Sequence, residues 1–280
     1  MTIDPVKKIK VLIADDSKLI CTLLNSIFSK APDFEVLGFA NTGEEAVKLT
    51  KALKPDIVSM DIMMPKLDGY GATKQIMAEC PTPIVILSSL IHEAEIDSAC
   101  KTLAVGALEA LPKFFDVSKD EFESKERHFL NTMRALSEVR VIRRRQIKPI
   151  TLSEKVGVMP NQDIKILAIG ISTGGPEALS HIFSTLKVSF PVPIVVVLHI
   201  SKGFLIGLVK WLQRVTALEV CIAENGTQLL PGKVYFAPDD CHLQIKAGEK
   251  PIAFLNDGTA DDRLKPAVDV LFHSLAKAYP

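Results

Sequence analysis

Two series of short apolar runs, each followed by an amphipathic stretch, fill most of the chain and leave few folds open to it. Runs at 10–14, 35–39, 57–60, 84–87 and 108–111 alternate with helical patterns, which is how a parallel sheet with crossover helices reads. After Ser17, the residues Leu19, Ile20, Leu23, Leu24, Ile27 and Phe28 recur at the 3.6-residue period of a helix. Five such units are complete by about residue 122, which predicts a small doubly wound α/β domain over 1–122. From 121 to 143, Phe122, Phe129, Met133 and Leu136 share one helix face and run into a basic stretch around Arg140. Residues 123–163 therefore read as a helical, basic linker, and the charge run as a solvated one. A second series begins at 164–171, with helices expected at 176–186, 203–214 and 266–279. Short strands are expected at 219–223, 233–237, 242–246 and 252–255. Together these predict a second α/β domain over 164–280.

Composition narrows the partners. The 33 Lys and Arg balance 33 Asp and Glu, so no global field draws the chain to nucleic acid or anionic lipid. The most apolar run, 194–198, is far shorter than the ~18 residues of a membrane span. No secretory h-region follows Met1, so a cytoplasmic protein without membrane insertion is expected. Five scattered cysteines with no CxxC pair argue for reduced thiols and against a zinc site. No basic recognition helix or helix-turn-helix pattern supports a transcription factor.

Strand ends carry the chemistry. Asp15 and Asp16 follow the first apolar run and Asp61 the third, and in a parallel sheet those ends open onto one edge. Carboxylates converging there repel unless a divalent cation neutralises them, and Mg²⁺ prefers hard oxygen ligands. Ser88 and Ser89 follow the fourth run and Lys113 the fifth. The set comprises an acyl-phosphate acceptor, a metal site, a hydroxyl for a phosphate oxygen and a fixed cation. Asp and Ser also favour ordinary turns, but four strand ends converging on one chemistry make a site the better reading.

The stretches Ala14-Asp15-Asp16-Ser17, Met60-Asp61-Ile62-Met63-Met64-Pro65-Lys66-Leu67-Asp68-Gly69 and Leu87-Ser88-Ser89, with Lys113, resemble the response-regulator receiver family. The resemblance implies a flavodoxin-like five-stranded sheet with Asp61 as phosphoacceptor. It implies Mg²⁺ held by Asp15, Asp16, Asp61 and the Met63 carbonyl, Ser88 as switch hydroxyl and Lys113 as the phosphate-pairing lysine. One departure is Pro112-Lys113-Phe114, where receivers carry Lys-Pro; without a proline, a cis peptide after Lys113 costs about 2.5–4 kcal/mol.

In the second series, Gly170-Ile171-Ser172-Thr173-Gly174-Gly175-Pro176 lies between an apolar run and a helix and fits G-x-S-x-G. Its glycines allow a tight turn that exposes Ser172, and Pro176 suits a first helical turn. The Thr173 N–H would point at a developing oxyanion. The same turn also serves phosphate binding or close helix packing, and the motif alone leaves both open. A general base separates them. His199 directly follows 194–198, which puts it on the same edge as Ser172. His181 and His273 lie on helices, and His92, His128 and His242 in loops, linker or hairpin.

Ile169 to Glu177, Leu198-His199-Ile200 with Gly203-Phe204, Leu230 to Pro238 with His242-Leu243, and Pro266 to Phe272 with Ser274 resemble the chemotaxis protein-glutamate methylesterase family, CheB. The resemblance covers 164–280 and implies a serine hydrolase that demethylates chemoreceptor glutamates and often deamidates glutamines. It implies control by a chemotaxis histidine kinase through the receiver, methylated receptor cytoplasmic domains as substrate, and no cofactor in the esterase domain. Leu198 and Ala267 depart from the glutamine and serine usual there. The family's triad aspartate comes from a glycine-rich loop after a further strand, and the chain ends at Pro280 before either. The expectation is an incomplete esterase domain with impaired activity. Asp239, Asp240, Asp257, Asp261, Asp262 and Asp269 are candidate replacements, most of them turn-like. The other reading is a non-catalytic phospho-receiver that binds receptors.

Overall fold

A computed structural model describes residues 7–89, 93–115, 118–141, 164–248, 250–258 and 264–279. His92, the basic run from 142, the rest of the linker to 163, Asp261 and Asp262 lie outside the described residues. The chain divides into two compact units, Met1–Arg144 and Arg145–Pro280.

The first unit is a five-stranded parallel sheet in the order β2-β1-β3-β4-β5. Its strands are β1 Ile9–Ala14, β2 Phe34–Ala40, β3 Ile57–Asp61, β4 Ile84–Ser88 and β5 Glu109–Pro112. Helices α1 Lys18–Lys30, α2 Gly43–Leu53, α3 Gly69–Glu79, α4 Glu93–Ala104 and α5 Lys119–Ser137 cross between or follow them. Strands β3 and β4 are buried along their whole length, as parallel strands covered on both faces must be. Ser17 caps α1 by accepting from Ile20 N at 3.4 Å, which ends the extended run just past Asp15 and Asp16. Strand order reverses between β1 and β3, so their carboxyl ends flank the crevice where such sheets bind ligands.

Helix α5 corrects the expected linker. Phe129, Met133 and Leu136 are buried in one core with Phe28, Phe34 and Phe114, so residues 123–137 belong to the first unit. The periodicity was visible in the sequence, but the surface that receives it is made by α1 and the β5–α5 connection.

The second unit holds β6 Leu167–Ile171, β7 Ile194–Leu198, β8 Glu219–Ile222 and β9 Lys233–Phe236 in a parallel sheet ordered β6-β7-β9-β8. Helices α6 Gly175–Thr185 and α7 Leu205–Val215 accompany it. Strands β10 His242–Lys246 and β11 Ile252–Asn256 form a separate antiparallel pair, against which α8 Val268–Ala278 packs. Leu243, Ile245, Ala253 and Leu271 join Val195, Val197 and Tyr235 in one core. Central β7 is wholly buried, whereas β6 is an edge strand with Leu167 36% exposed. Gly170 on β6 faces α8, and a Cβ there would stand 2.2 Å from a Val268 methyl. Among the described residues no helix is long and apolar enough to cross a membrane.

Candidate functional sites at two sheet edges

Asp15 lies just past β1, Asp61 ends β3, Ser88 ends β4 and Lys113 follows β5, so the expected residues meet at one edge. Ligand oxygens of Asp15, Asp16 and Asp61 all lie within 4.8 Å of one another. Asp15 and Asp61 are buried, which makes their mutual repulsion costly. Lys113 relieves it: its Nζ sits 2.8 Å from Asp61 Oδ1 and 3.0 Å from Asp15 Oδ2. Burial pushes the Asp61 carboxyl up to about 6, even though Lys113 pulls it down. Burial opposes the Lys113 charge, yet the two carboxylates outweigh it and raise that ammonium.

Ser88 Oγ is buried and has no hydrogen-bond partner among the described residues, an orphan of the kind that awaits a ligand oxygen. Neighbouring Ser89 instead donates to Glu95. Three carboxylates with converging oxygens fit a small hard cation such as Mg²⁺. Met63 lies two residues beyond Asp61, its side chain 57% exposed. Two glycines shape that loop. A Cβ on Gly69 would meet Asp61 O at 2.2 Å, and one on Gly43 would meet Leu67 O at 2.2 Å. Without side chains, their N–H groups reach Ile62 O at 2.9 Å and Leu67 O at 3.0 Å and clamp the loop.

At the second edge, Ile171 pairs with Leu198, and His199 N donates to Ile171 O at 3.0 Å. Ser172 and His199 are therefore the next residues along adjacent parallel strands. Ser172 and Thr173 are exposed and His199 is half-buried. Gly174, at φ +76°, occupies the left-handed region that glycine tolerates, and Gly175 N closes the turn onto Ser172 O at 2.7 Å. The His199 ring is held by the backbone, its Nε2 lying 2.9 Å from the Pro266 carbonyl. A carbonyl only accepts, so Nε2 is the donor in this contact.

None of the described candidate acids bonds that ring. Asp239 accepts from Gly203 N, Asp240 pairs with Lys202, Asp257 accepts from Cys241 Sγ and Asp269 from Val270 N. Pro266 O escaped the sequence reading because a backbone carbonyl has no residue-type signature. Of the other histidines, His242 Nδ1 accepts from Ala267 N at 3.1 Å and His273 Nδ1 bonds Asp269 O, both structural contacts.

Residues 11–121 match the family described as response regulator receiver domain, and residues 167–280 the one described as CheB methylesterase. The chain is 40% identical over 274 residues to protein-glutamate methylesterase/protein-glutamine glutaminase 2 of Methanospirillum hungatei JF-1, covering 96% of this chain and 78% of that protein. It is 37% identical over 278 residues to protein-glutamate methylesterase/protein-glutamine glutaminase 1 of Syntrophus aciditrophicus, covering 97% and 78%. It is 38% identical over 274 residues to protein-glutamate methylesterase/protein-glutamine glutaminase 4 of Geobacter metallireducens, covering 97% and 79%. With a receiver-type acidic edge, a serine elbow beside a histidine and this identity along both units, the chain belongs to the protein-glutamate methylesterase (CheB) family of response regulators.

Proposed function

We propose that this chain hydrolyses glutamyl methyl esters on the cytoplasmic domains of chemoreceptors, under the control of phosphorylation at Asp61 by a chemotaxis histidine kinase. The names of its relatives support the substrate, and the reaction takes place in the cytoplasm. One observation carries the catalytic reading. The register Ile171↔Leu198 and the 3.0 Å bond from His199 N to Ile171 O put Ser172 and His199 on neighbouring strand ends, which supports reading them as nucleophile and base.

Ser172 Oγ attacks the ester carbonyl while His199 takes its proton, and the Thr173 N–H donates to the oxyanion. His199 returns the proton to the leaving methoxide, giving methanol and a glutamyl-serine ester. Water, deprotonated by His199, then releases glutamate and restores Ser172. On glutamine the same atoms release ammonia in place of methanol.

In the first unit, a carboxylate oxygen of Asp61 attacks the phosphorus of the kinase phosphohistidine, forming an acyl phosphate as the P–N bond breaks and the imidazole leaves. Lys113 pairs with the added charge, and Ser88 Oγ binds a phosphoryl oxygen. Asp15, Asp16, Asp61 and the Met63 carbonyl would hold Mg²⁺, which would supply positive charge to offset the phosphoryl oxygens. The fit rests on the three converging carboxylates and the orphaned hydroxyl.

A second reading has its own observation. His199 Nε2 is engaged by Pro266 O, and among the described residues no carboxylate steadies the ring, which favours a phospho-regulated receptor-binding protein without hydrolysis. One assay separates them: methanol release from methyl-esterified receptor domains by the chain and by its Ser172→Ala variant. The enzyme reading expects release that the variant abolishes. Equal signals from both proteins, or none from either, would leave the binding reading standing.

A further inference from the structure

We infer that Phe114 is the positioning residue that sets Lys113 over the phosphoacceptor, in place of the proline that follows this lysine in receivers. The inference rests on the reading of Asp61 as phosphoacceptor. Among the described residues the cis peptide is Lys265-Pro266, so the Lys113–Phe114 bond is trans. No covalent constraint therefore fixes the turn after Lys113. Yet Lys113 Nζ reaches both Asp61 and Asp15, at 2.8 and 3.0 Å, which demands a well-defined Cα position.

Two anchors supply it. Upstream, Lys113 N donates to Ser88 O at 2.7 Å and extends the β4–β5 ladder one residue past Ser88↔Pro112. Downstream, Phe114 is 3% exposed and its ring meets three others. Centroids lie 4.8 Å from Phe115, 5.6 Å from Phe122 and 5.6 Å from Phe129, all in tilted arrangements. Such aromatic pairs add directional attraction to the area they bury, so the ring resists sliding. Phe122 and Phe129 lie on one face of α5, seven residues and two turns apart. Phe129 in turn sits 5.5 Å from Phe28 of α1, the helix that Ser17 caps beside the acidic pair.

The consequence is mechanical. The backbone of Lys113 is pinned between a strand partner that carries the switch hydroxyl and a ring seated on α5. A change in where the ammonium sits, such as a phosphoryl group on Asp61 drawing it off Asp15, acts on α5 through one residue. Conversely, the position of α5 sets how well Lys113 serves Asp61.

The test uses the full chain with beryllofluoride and saturating Mg²⁺, its affinity read by fluorine NMR. Phe114→Ala is expected to weaken beryllofluoride by about tenfold or more. Lys113→Ala is expected to weaken it strongly in the native background but by less than about threefold on top of Phe114→Ala, the non-additivity of residues acting as a unit. Leu136→Ala, which loosens the same core away from the lysine, is expected to leave affinity within about twofold, so a general loss of stability is not mistaken for positioning. Phe114→Leu keeps bulk without the ring and is expected to fall between; it carries the same cycle should Phe114→Ala fail to fold. The inference is overturned if Lys113→Ala costs the same in both backgrounds, or if Phe114 variants bind like the native chain. If the native chain itself binds no beryllofluoride, the phosphoacceptor reading fails and takes this inference with it, a result distinct from either.

Discussion

At the edge of the first sheet, an ammonium bonds two buried carboxylates and a buried hydroxyl lacks a partner among the described residues; at the edge of the second, an exposed serine sits beside a histidine whose ring is held by a backbone carbonyl. Both edges come from parallel strands, so topology alone brings the right residues near each other. They differ in what finishes the job. Charges buried in low dielectric must find one another or pay heavy desolvation, so Asp15, Asp61 and Lys113 close onto one another once Ser88 O and the Phe114 ring have set the backbone. A neutral Ser–His pair exerts no such pull and needs a third group to fix the imidazole. The last contacts at the first edge are made by its charged groups, at the second by the backbone around the ring.

The largest test of that contrast is Asp61→Asn, which removes the oxygen proposed to attack and leaves Lys113 one carboxylate fewer. Acid-labile phosphate incorporated from acetyl phosphate is expected to fall on the order of 10³-fold or more, as with loss of other nucleophiles. Undiminished labelling would move the acceptor elsewhere. At the second edge, His199→Ala is expected to lower methanol release by about 10²–10⁴-fold, the span of general acid–base catalysis. A loss below tenfold would mean that the imidazole held by Pro266 does not serve Ser172.

Glycines give a comparison of the two scaffolds. Gly69→Ala drives a Cβ into the Asp61 carbonyl, backbone that cannot step aside, and is expected to cost about 3 kcal/mol. Gly170→Ala meets Val268 methyls, which can turn or shift with α8, and is expected to cost about 1 kcal/mol. Hydrogen exchange read separately in the two units checks both, since one melting curve does not describe two domains. The reverse order would mean that α8 is the more rigid neighbour.

What was legible in the sequence follows the same division. The acidic edge was readable because Asp15, Asp16, Asp61, Ser88 and Lys113 are all residue types whose chemistry is unusual at strand ends. The nearness of Ser172 and His199 was readable from their places after two apolar runs. Pro266 O was not, because any residue supplies a carbonyl, and only the path of the chain before α8 brings this one to the ring. Phe122, Phe129, Met133 and Leu136 announced a helix face but not its partner. Only the folded chain sets them against Phe28 and Phe114, moving α5 from linker to core. Phe114 looked like a missing proline and is instead a buried anchor.

The smallest effect concerns how α5 closes on the first unit at its surface. Arg134 Nε and an Nη donate to the two oxygens of Asp33 at 2.6 and 3.1 Å, and its guanidinium lies 5.2 Å from the Phe34 ring centre. The hydrogen bonds from Arg134 hold the Asp33 carboxyl below its ordinary value of 3.8. A depressed carboxyl stabilises the fold above that value and loses the contribution as pH falls through the lower, folded one. Both side chains are about a third exposed, at 38% and 31%, so water screens the pair. Arg134→Ala is expected to cost under about 1 kcal/mol at pH 7, and less in high salt. Urea unfolding of the first unit at pH 7 and again near pH 3 checks the sign: the cost of the substitution should shrink in acid as Asp33 is neutralised in the native chain. A cost that stayed constant with pH would assign the whole effect to the Phe34 contact. In that case even the exposed rim of the first unit, like the edge at Ser172, would be set by packing and backbone and not by charge.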